Sequence, residues 1–121
     1  MIRGIKFASV PVRNQDVALK FYTEKLGFRV LTDQPMGPQK RWIELEISGA
    51  QSKLVLFTPE GHEDRIGTFQ TITFWTDDVE GTAKTLKAKG VEFASDPKKE
   101  PWGTFAIFKD QDGNQFVLGT K

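Results

Sequence analysis

The chain has 121 residues, the size of one compact domain, and a net charge of +1 from 17 basic and 16 acidic side chains. That balance gives no electrostatic footprint for nucleic acid or an anionic membrane. No apolar run approaches the roughly 20 residues of a membrane span, and Met1–Phe7 lacks the form of a secretory signal, so a soluble cytoplasmic protein is expected. Cysteine is absent and His62 is the one histidine, which excludes disulfides, thiolate catalysis, Cys-ligated zinc and any site drawing two histidines from one chain.

Phe7–Val12 has strand character, with Ala8, Val10 and Val12 alternating against Phe7, Ser9 and Pro11. Asn14 and Asp16 offer N-cap oxygens to a helix whose Val17, Ala18, Phe21, Tyr22 and Leu26 recur at helical spacing. Gly27 ends it, in the place where a left-handed C-cap needs a residue without Cβ. Phe28–Thr32 reads as a strand, Asp33–Pro38 as a turn, and Arg41–Ile47 and Lys53–Phe57 as two strands joined at Ser48-Gly49.

The second half repeats this order. Thr71–Trp75 is a predicted strand, Asp77 and Asp78 are cap candidates, and Val79, Ala83, Leu86 and Lys87 carry a helix that stops at Lys89-Gly90. Val91–Phe93 restarts a strand, Pro97–Pro101 reads as a loop, and the strands Gly103–Lys109 and Gln115–Leu118 flank Asp110–Asn114. Gly27 and Gly90 lie 63 positions apart, and each half reads strand, helix, three strands. The expected architecture is therefore α+β, a duplicated βαβββ unit: module one over 1–57, a connector over 58–68, and module two over 69–121. The aromatic fraction of 12 %, with ten Phe, supplies a core without covalent staples.

Period-2 alternation sorts the strand side chains into two faces. Ile43, Leu45 and Ile47 belong under a helix, which puts Trp42, Glu44 and Glu46 on the other side. The same sorting gives the helix-free face Phe7, Ser9, Trp42, Glu44, Thr71, Thr73, Trp75, Gln115 and Val117. Aromatic walls with a few polar groups are the material of small-molecule pockets.

The βαβββ-βαβββ order, the stretch Val12–Phe28 with its Phe21–Phe28 helix end, the segment Asp77–Gly90 and the closing Asp110–Leu118 resemble the vicinal oxygen chelate superfamily. That group holds glyoxalase I, bleomycin-resistance proteins, fosfomycin-resistance enzymes and extradiol dioxygenases. The resemblance implies glyoxalase/bleomycin-resistance-like half-barrels of curled mixed sheet around a cleft, completed in many small members by the second chain of a homodimer. It also implies four metal-ligand positions, which fall here on Phe7, Glu44, Thr71 (with Gln70 beside it) and Val117. Only Glu44 among the four binds a divalent cation well, since Phe and Val have no donor atom and a Thr hydroxyl is a weak ligand. The expectation is no metal and no cofactor.

The function expected is that of a metal-free binding protein of the bleomycin-resistance type, taking an aromatic or cationic small molecule. Glu44 supplies the charge, Phe7, Trp42 and Trp75 the walls, Ser9, Thr71 and Gln115 orienting hydrogen bonds, with Val117 and the loop residue Trp102 as further contacts. The alternative is a metal-dependent glyoxalase-type lyase or isomerase with a non-standard site. If any catalysis occurs, Glu44 is its candidate base. His62 reads as an exposed loop imidazole, Lys84, Lys87 and Lys89 as a solvated helix face, and Asp110–Asn114 as a hairpin turn, because it lacks the spacing and distal Glu of a calcium loop.

Overall fold

A computed structural model describes the whole chain, Met1–Lys121, which divides into two compact units, Met1–Ile66 and Gly67–Lys121. The first holds strands β1 (Phe7–Pro11), β2 (Arg29–Pro35), β3 (Arg41–Glu46) and β4 (Lys53–Phe57) in the order β1-β4-β3-β2. β1 runs parallel to β4, and the β4/β3 and β3/β2 pairs are antiparallel. The second unit repeats the plan with β5 (Phe69–Thr76), β6 (Glu92–Glu100), β7 (Gly103–Lys109) and β8 (Gln115–Thr120), ordered β5-β8-β7-β6. Two four-stranded mixed sheets with few helices make the expected α+β architecture.

Helix α1 (Gln15–Lys20) starts where expected: the Asn14 side chain accepts from Val17 N–H at 3.0 Å. Asp16 is not the cap; its carboxylate pairs with Arg41. The helix is shorter than predicted, because Phe21–Lys25 is a π turn. Ala18, Phe21 and Tyr22 are buried at helical i, i+3, i+4 spacing, while Val17, expected in the core, precedes that stripe and is 53 % exposed. The end comes at Gly27, φ +77°, with Phe28 N–H closing on Tyr22 O at 3.0 Å. Gln15 is buried at the start of α1. Its Nε2 donates to Arg41 O at 2.7 Å and Leu56 O at 3.0 Å, which ties the helix to β3 and β4.

In the second unit, α2 (Val79–Ala88) is capped by Asp78, which accepts from Gly81 N–H at 3.0 Å. Val79, Ala83 and Leu86 are buried at the predicted spacing. The core on the helix side is a Phe cluster: Phe74, Phe108 and Phe116 lie with ring centroids 5.4–6.0 Å apart, and Phe93 is 6.1 Å from Phe108.

Several strand boundaries differ from the sequence reading; β5 starts earlier, at Phe69, and β8 runs on to Thr120. β2 runs on to Pro35 because Asp33 pairs with Ile43 and its carboxylate receives two bonds from Arg41, so the turn shrinks to the residues after Pro35. Residues 97–100, read as loop, belong to β6. Pro97 is tolerated there because β6 is an edge strand and its register with β7 slips between Ser95 and Lys98, leaving the proline outside the ladder. Ile47 falls just outside β3.

Candidate functional site

In the first unit, alternation does what the sequence implied. Ile43 and Leu45 are fully buried on the helix side, and Trp42, Glu44 and Glu46 are half-buried on the other. Across this open face the register sets Ser9 beside Val55 and Val55 beside Glu44. Phe7 and Trp42 meet edge-to-face, centroids 5.4 Å apart and planes at 76°, the arrangement favoured by ring quadrupoles. Trp42 Nε1 donates to Glu44 Oε1 at 3.2 Å. Residues two apart on a strand share a face, so this bond is local and fixes the carboxylate against the indole.

The two carboxylates of that face have different fates. Glu46 is paired with Arg29 at 2.7 Å. Glu44 takes part in no ion pair, and the Trp42 indole is its one side-chain partner. The open face thus presents an aromatic corner with an uncompensated negative charge beside it. Val55, buried on this face, is a contributor that the sequence reading missed.

In the second unit the open face carries Phe69, Thr71, Thr73 and Trp75 of β5, all exposed, with half-buried Gln115 and Val117 of β8 and Phe105 and Ile107 of β7. Trp75 is 56 % exposed, and Lys121 Nζ lies 4.8 Å from its ring centroid. Trp102, 73 % exposed in the β6–β7 turn, stacks on Phe105 with centroids 5.5 Å apart and planes at 16°. Phe105 and Ile107 were not singled out from the sequence, although strict alternation along β7 assigns them to this face.

Thr71 departs from the regular strand expected. It has φ +55°, rare for a β-branched residue, at the point where the β5/β8 register slips between Phe69 and Thr73. Its hydroxyl donates to Gln70 O at 2.6 Å. Gln70 belongs to a different arrangement: its Nε2 donates to Asn114 Oδ1 at 3.0 Å and to Thr68. Asn114 is fully buried; its Oδ1 also accepts from Gly67 N–H at 2.7 Å and its Nδ2 donates to Asp110 Oδ2 at 2.8 Å. Asp110 Oδ1 in turn accepts from the N–H groups of Asp112 and Asn114. The Asp110–Asn114 turn is therefore a latch that holds the start of β5 to the β7–β8 connection.

At the four positions that the resemblance implies for a cation, the donor chemistry does not fit a divalent ion. Phe7 and Val117 have no donor, Thr71 donates its hydroxyl proton to a backbone carbonyl, and Glu44 is one carboxylate. No group of three or more His, Asp or Glu side chains is placed so as to hold a metal ion. The basic region at the end of the first sheet is internally compensated: Arg41 is bonded to Asp33 and Asp16, and Lys40 to Glu60. Arg41 holds the Asp33 carboxyl below its usual range, mainly through their hydrogen bond, and its own pKa is raised in return. His62 is exposed in the connector, as its sequence neighbours suggest. No helix is long and apolar enough to cross a membrane.

A family model described as the Glyoxalase/Bleomycin resistance protein/Dioxygenase superfamily matches residues 4–118. The chain is 40 % identical over 118 residues to the uncharacterized protein YetH of Bacillus subtilis (strain 168), covering 98 % of each. Its fold is similar to a crystal structure of a member of the same superfamily from Sphaerobacter thermophilus DSM 20745, with TM-score 0.88 and 34 % identity over 99 % of this chain and 98 % of that one. It is also similar to TnmS3, an antibiotic binding protein from Streptomyces sp. CB03234, with TM-score 0.84 and 36 % identity over 98 % of this chain and 96 % of that one.

Proposed function

The chain belongs to the Glyoxalase/Bleomycin resistance protein/Dioxygenase superfamily, and from that premise we propose that it is a binding protein that takes a flat, partly aromatic, cationic small molecule without a metal ion. The observation that carries this reading is the Phe7–Trp42–Glu44 group: two rings at right angles and a carboxylate with no cation of its own. An aromatic corner attracts a planar cation through stacking and cation–π contact, and a carboxylate in a half-buried setting adds a charge-assisted bond. Likeness to TnmS3, an antibiotic binding protein, supports a small-molecule ligand.

Metal-dependent chemistry is disfavoured by the donors described above, and no step through a metal is derived. Within the first unit Glu44 is bonded to the Trp42 indole and to no acid or cationic side chain, so binding is better supported than base catalysis. The proposal includes a homodimer, in keeping with the exposed apolar Phe69, Trp75 and Trp102; sedimentation measures its mass. Tryptophan fluorescence titration with the planar cation proflavine tests the ligand reading. Saturable quenching that is lost in Trp42→Phe/Glu44→Gln is expected, and quenching that survives the double variant refutes it.

A further inference from the structure

Ser9, Val55 and Glu44 form one row across β1, β4 and β3 on the open face of the first sheet. Phe7 lies beyond this row on the side of Lys53. Trp42 lies beyond it on the opposite side, past the Ile43–Leu56 pair, because β3 runs antiparallel to β4. β1 and β3 are two strand spacings apart, about 9.6 Å. The two rings nevertheless meet, with centroids 5.4 Å apart. Both side chains therefore lean across the row from opposite sides, and their rings close above Val55. In keeping with this, Val55 in the middle of the row is 1 % exposed, whereas Ser9 at its end is exposed.

Glu44, at the other end of the row, holds one of the two rings in place. Trp42 Nε1 donates to Glu44 Oε1 at 3.2 Å, the long end of the range for an N–H···O bond. A cationic donor bonds a carboxylate at about 2.7–2.9 Å and with about twice the strength of a neutral one. A cation therefore draws Glu44 away from the indole at a gain, while a neutral ring without a donor leaves the indole bond as it is. The closed pair has no room for a third ring, since a flat ring between two aromatic neighbours needs about 7 Å. Entry to the row requires that Trp42 move off Phe7.

We propose that the Trp42–Glu44 hydrogen bond is a specificity latch, which holds the aromatic pair shut against neutral planar molecules and yields to planar cations. Glu44 thus selects for positive charge in two ways, by attracting the ligand and by releasing Trp42 only in exchange for it. This rests on the reading of the Phe7–Trp42–Glu44 group as the ligand site and adds how that site discriminates between ligands.

Two substitutions separate the latch from the charge. Glu44→Gln removes the charge but keeps an amide oxygen that accepts from the indole; Glu44→Ala removes both. The probes are proflavine and 10-methylacridone, a neutral tricycle of the same size with no hydrogen-bond donor, titrated with the full chain and followed by probe fluorescence anisotropy. The parent protein is expected to bind proflavine at least tenfold more tightly than 10-methylacridone. Glu44→Gln weakens proflavine binding tenfold or more and leaves 10-methylacridone binding unchanged. Glu44→Ala weakens proflavine binding as much and tightens 10-methylacridone binding threefold or more. Without any ligand, the Val55 methyl protons resonate upfield under the ring currents of the closed pair; they stay there in Glu44→Gln and move toward ordinary values in Glu44→Ala.

Equal affinity of 10-methylacridone for Glu44→Ala and the parent overturns the proposal. So does equal tightening in both variants, which would make the carboxylate charge, not the indole bond, the barrier to a neutral ring. Val55 methyl signals at ordinary values in the ligand-free parent overturn it as well. In a protein that binds proflavine, each of these results sinks the latch and leaves the general binding reading intact. A parent protein that does not bind proflavine sinks both.

Discussion

Replacing Asn114 by alanine removes the centre of the latch under the second sheet. Its amide oxygen accepts from Gly67 N–H and Gln70 Nε2, and its amide nitrogen donates to Asp110 Oδ2. Gln70 is only part-buried and recovers a water partner. Gly67 is exposed and its N–H does the same, but the carboxylate oxygen of Asp110 does not, because Asp110 is buried. An orphaned buried group costs about 1–3 kcal/mol, so Asn114→Ala should cost about 1–3 kcal/mol. At about 3–5 °C per kcal/mol for a domain of this size, the thermal midpoint falls by about 3–15 °C. Urea unfolding followed by circular dichroism gives the free energy directly, and an unchanged slope shows that both proteins unfold over the same surface. Asn114→Asp should be no better at neutral pH, because it sets a second carboxylate against Asp110, and it should recover stability as the solution is acidified. A loss below about 0.5 kcal/mol for Asn114→Ala would refute the assignment of the turn as a latch, since that is the range of surface changes touching nothing.

Two further outcomes concern the sheets themselves. Thr71 holds a left-handed backbone that disfavours a β-branched residue, so Thr71→Gly should raise stability by about 1–2 kcal/mol in the same urea assay; a destabilised variant would mean that the threonine side chain has a structural role outweighing its strain. The Asp33 carboxyl is held below its ordinary value by Arg41, which means that its contribution is present above the unfolded carboxyl pKa of about 3.9 and is lost as pH falls through the lower folded value. Asp33→Asn should therefore lose stability at neutral pH and show a flatter decline below pH of about 4. Parallel curves for variant and parent across that window would exclude the pair as a contributor.

Much of the fold was legible because its elements are punctuated. Gly27 and Gly90 end the two helices with positive φ, Asn14 and Asp78 start them, and the alternation in Arg41–Ile47 separates Ile43 and Leu45 from Trp42 and Glu44. What escaped has physical causes. The π turn at Phe21–Lys25 leaves no mark in a pattern whose apolar spacing is helical throughout. Pro97 looks like a loop residue unless the strand is known to be an edge with a slipped register. Gln15 seems a solvent residue until its amide is found capping two backbone carbonyls.

The candidate site was read unevenly for similar reasons. Phe7, Trp42 and Glu44 were found by alternation, and the structure brings them together. Val55 was missed because Leu54–Val55–Leu56 is an uninterrupted apolar run with no alternation to read. Thr71 and Gln70 were both placed near a ligand position, but the register slip in β5 turns Gln70 into the latch and bends the backbone at Thr71.

The most direct measurement is proflavine binding by the purified chain before and after exhaustive dialysis against a chelator, with metal content determined on the same samples. Affinity that is unchanged by dialysis and by added zinc or nickel, and that falls at least tenfold in Glu44→Gln, is the predicted result. Binding that disappears with the chelator and returns with stoichiometric metal would contradict it.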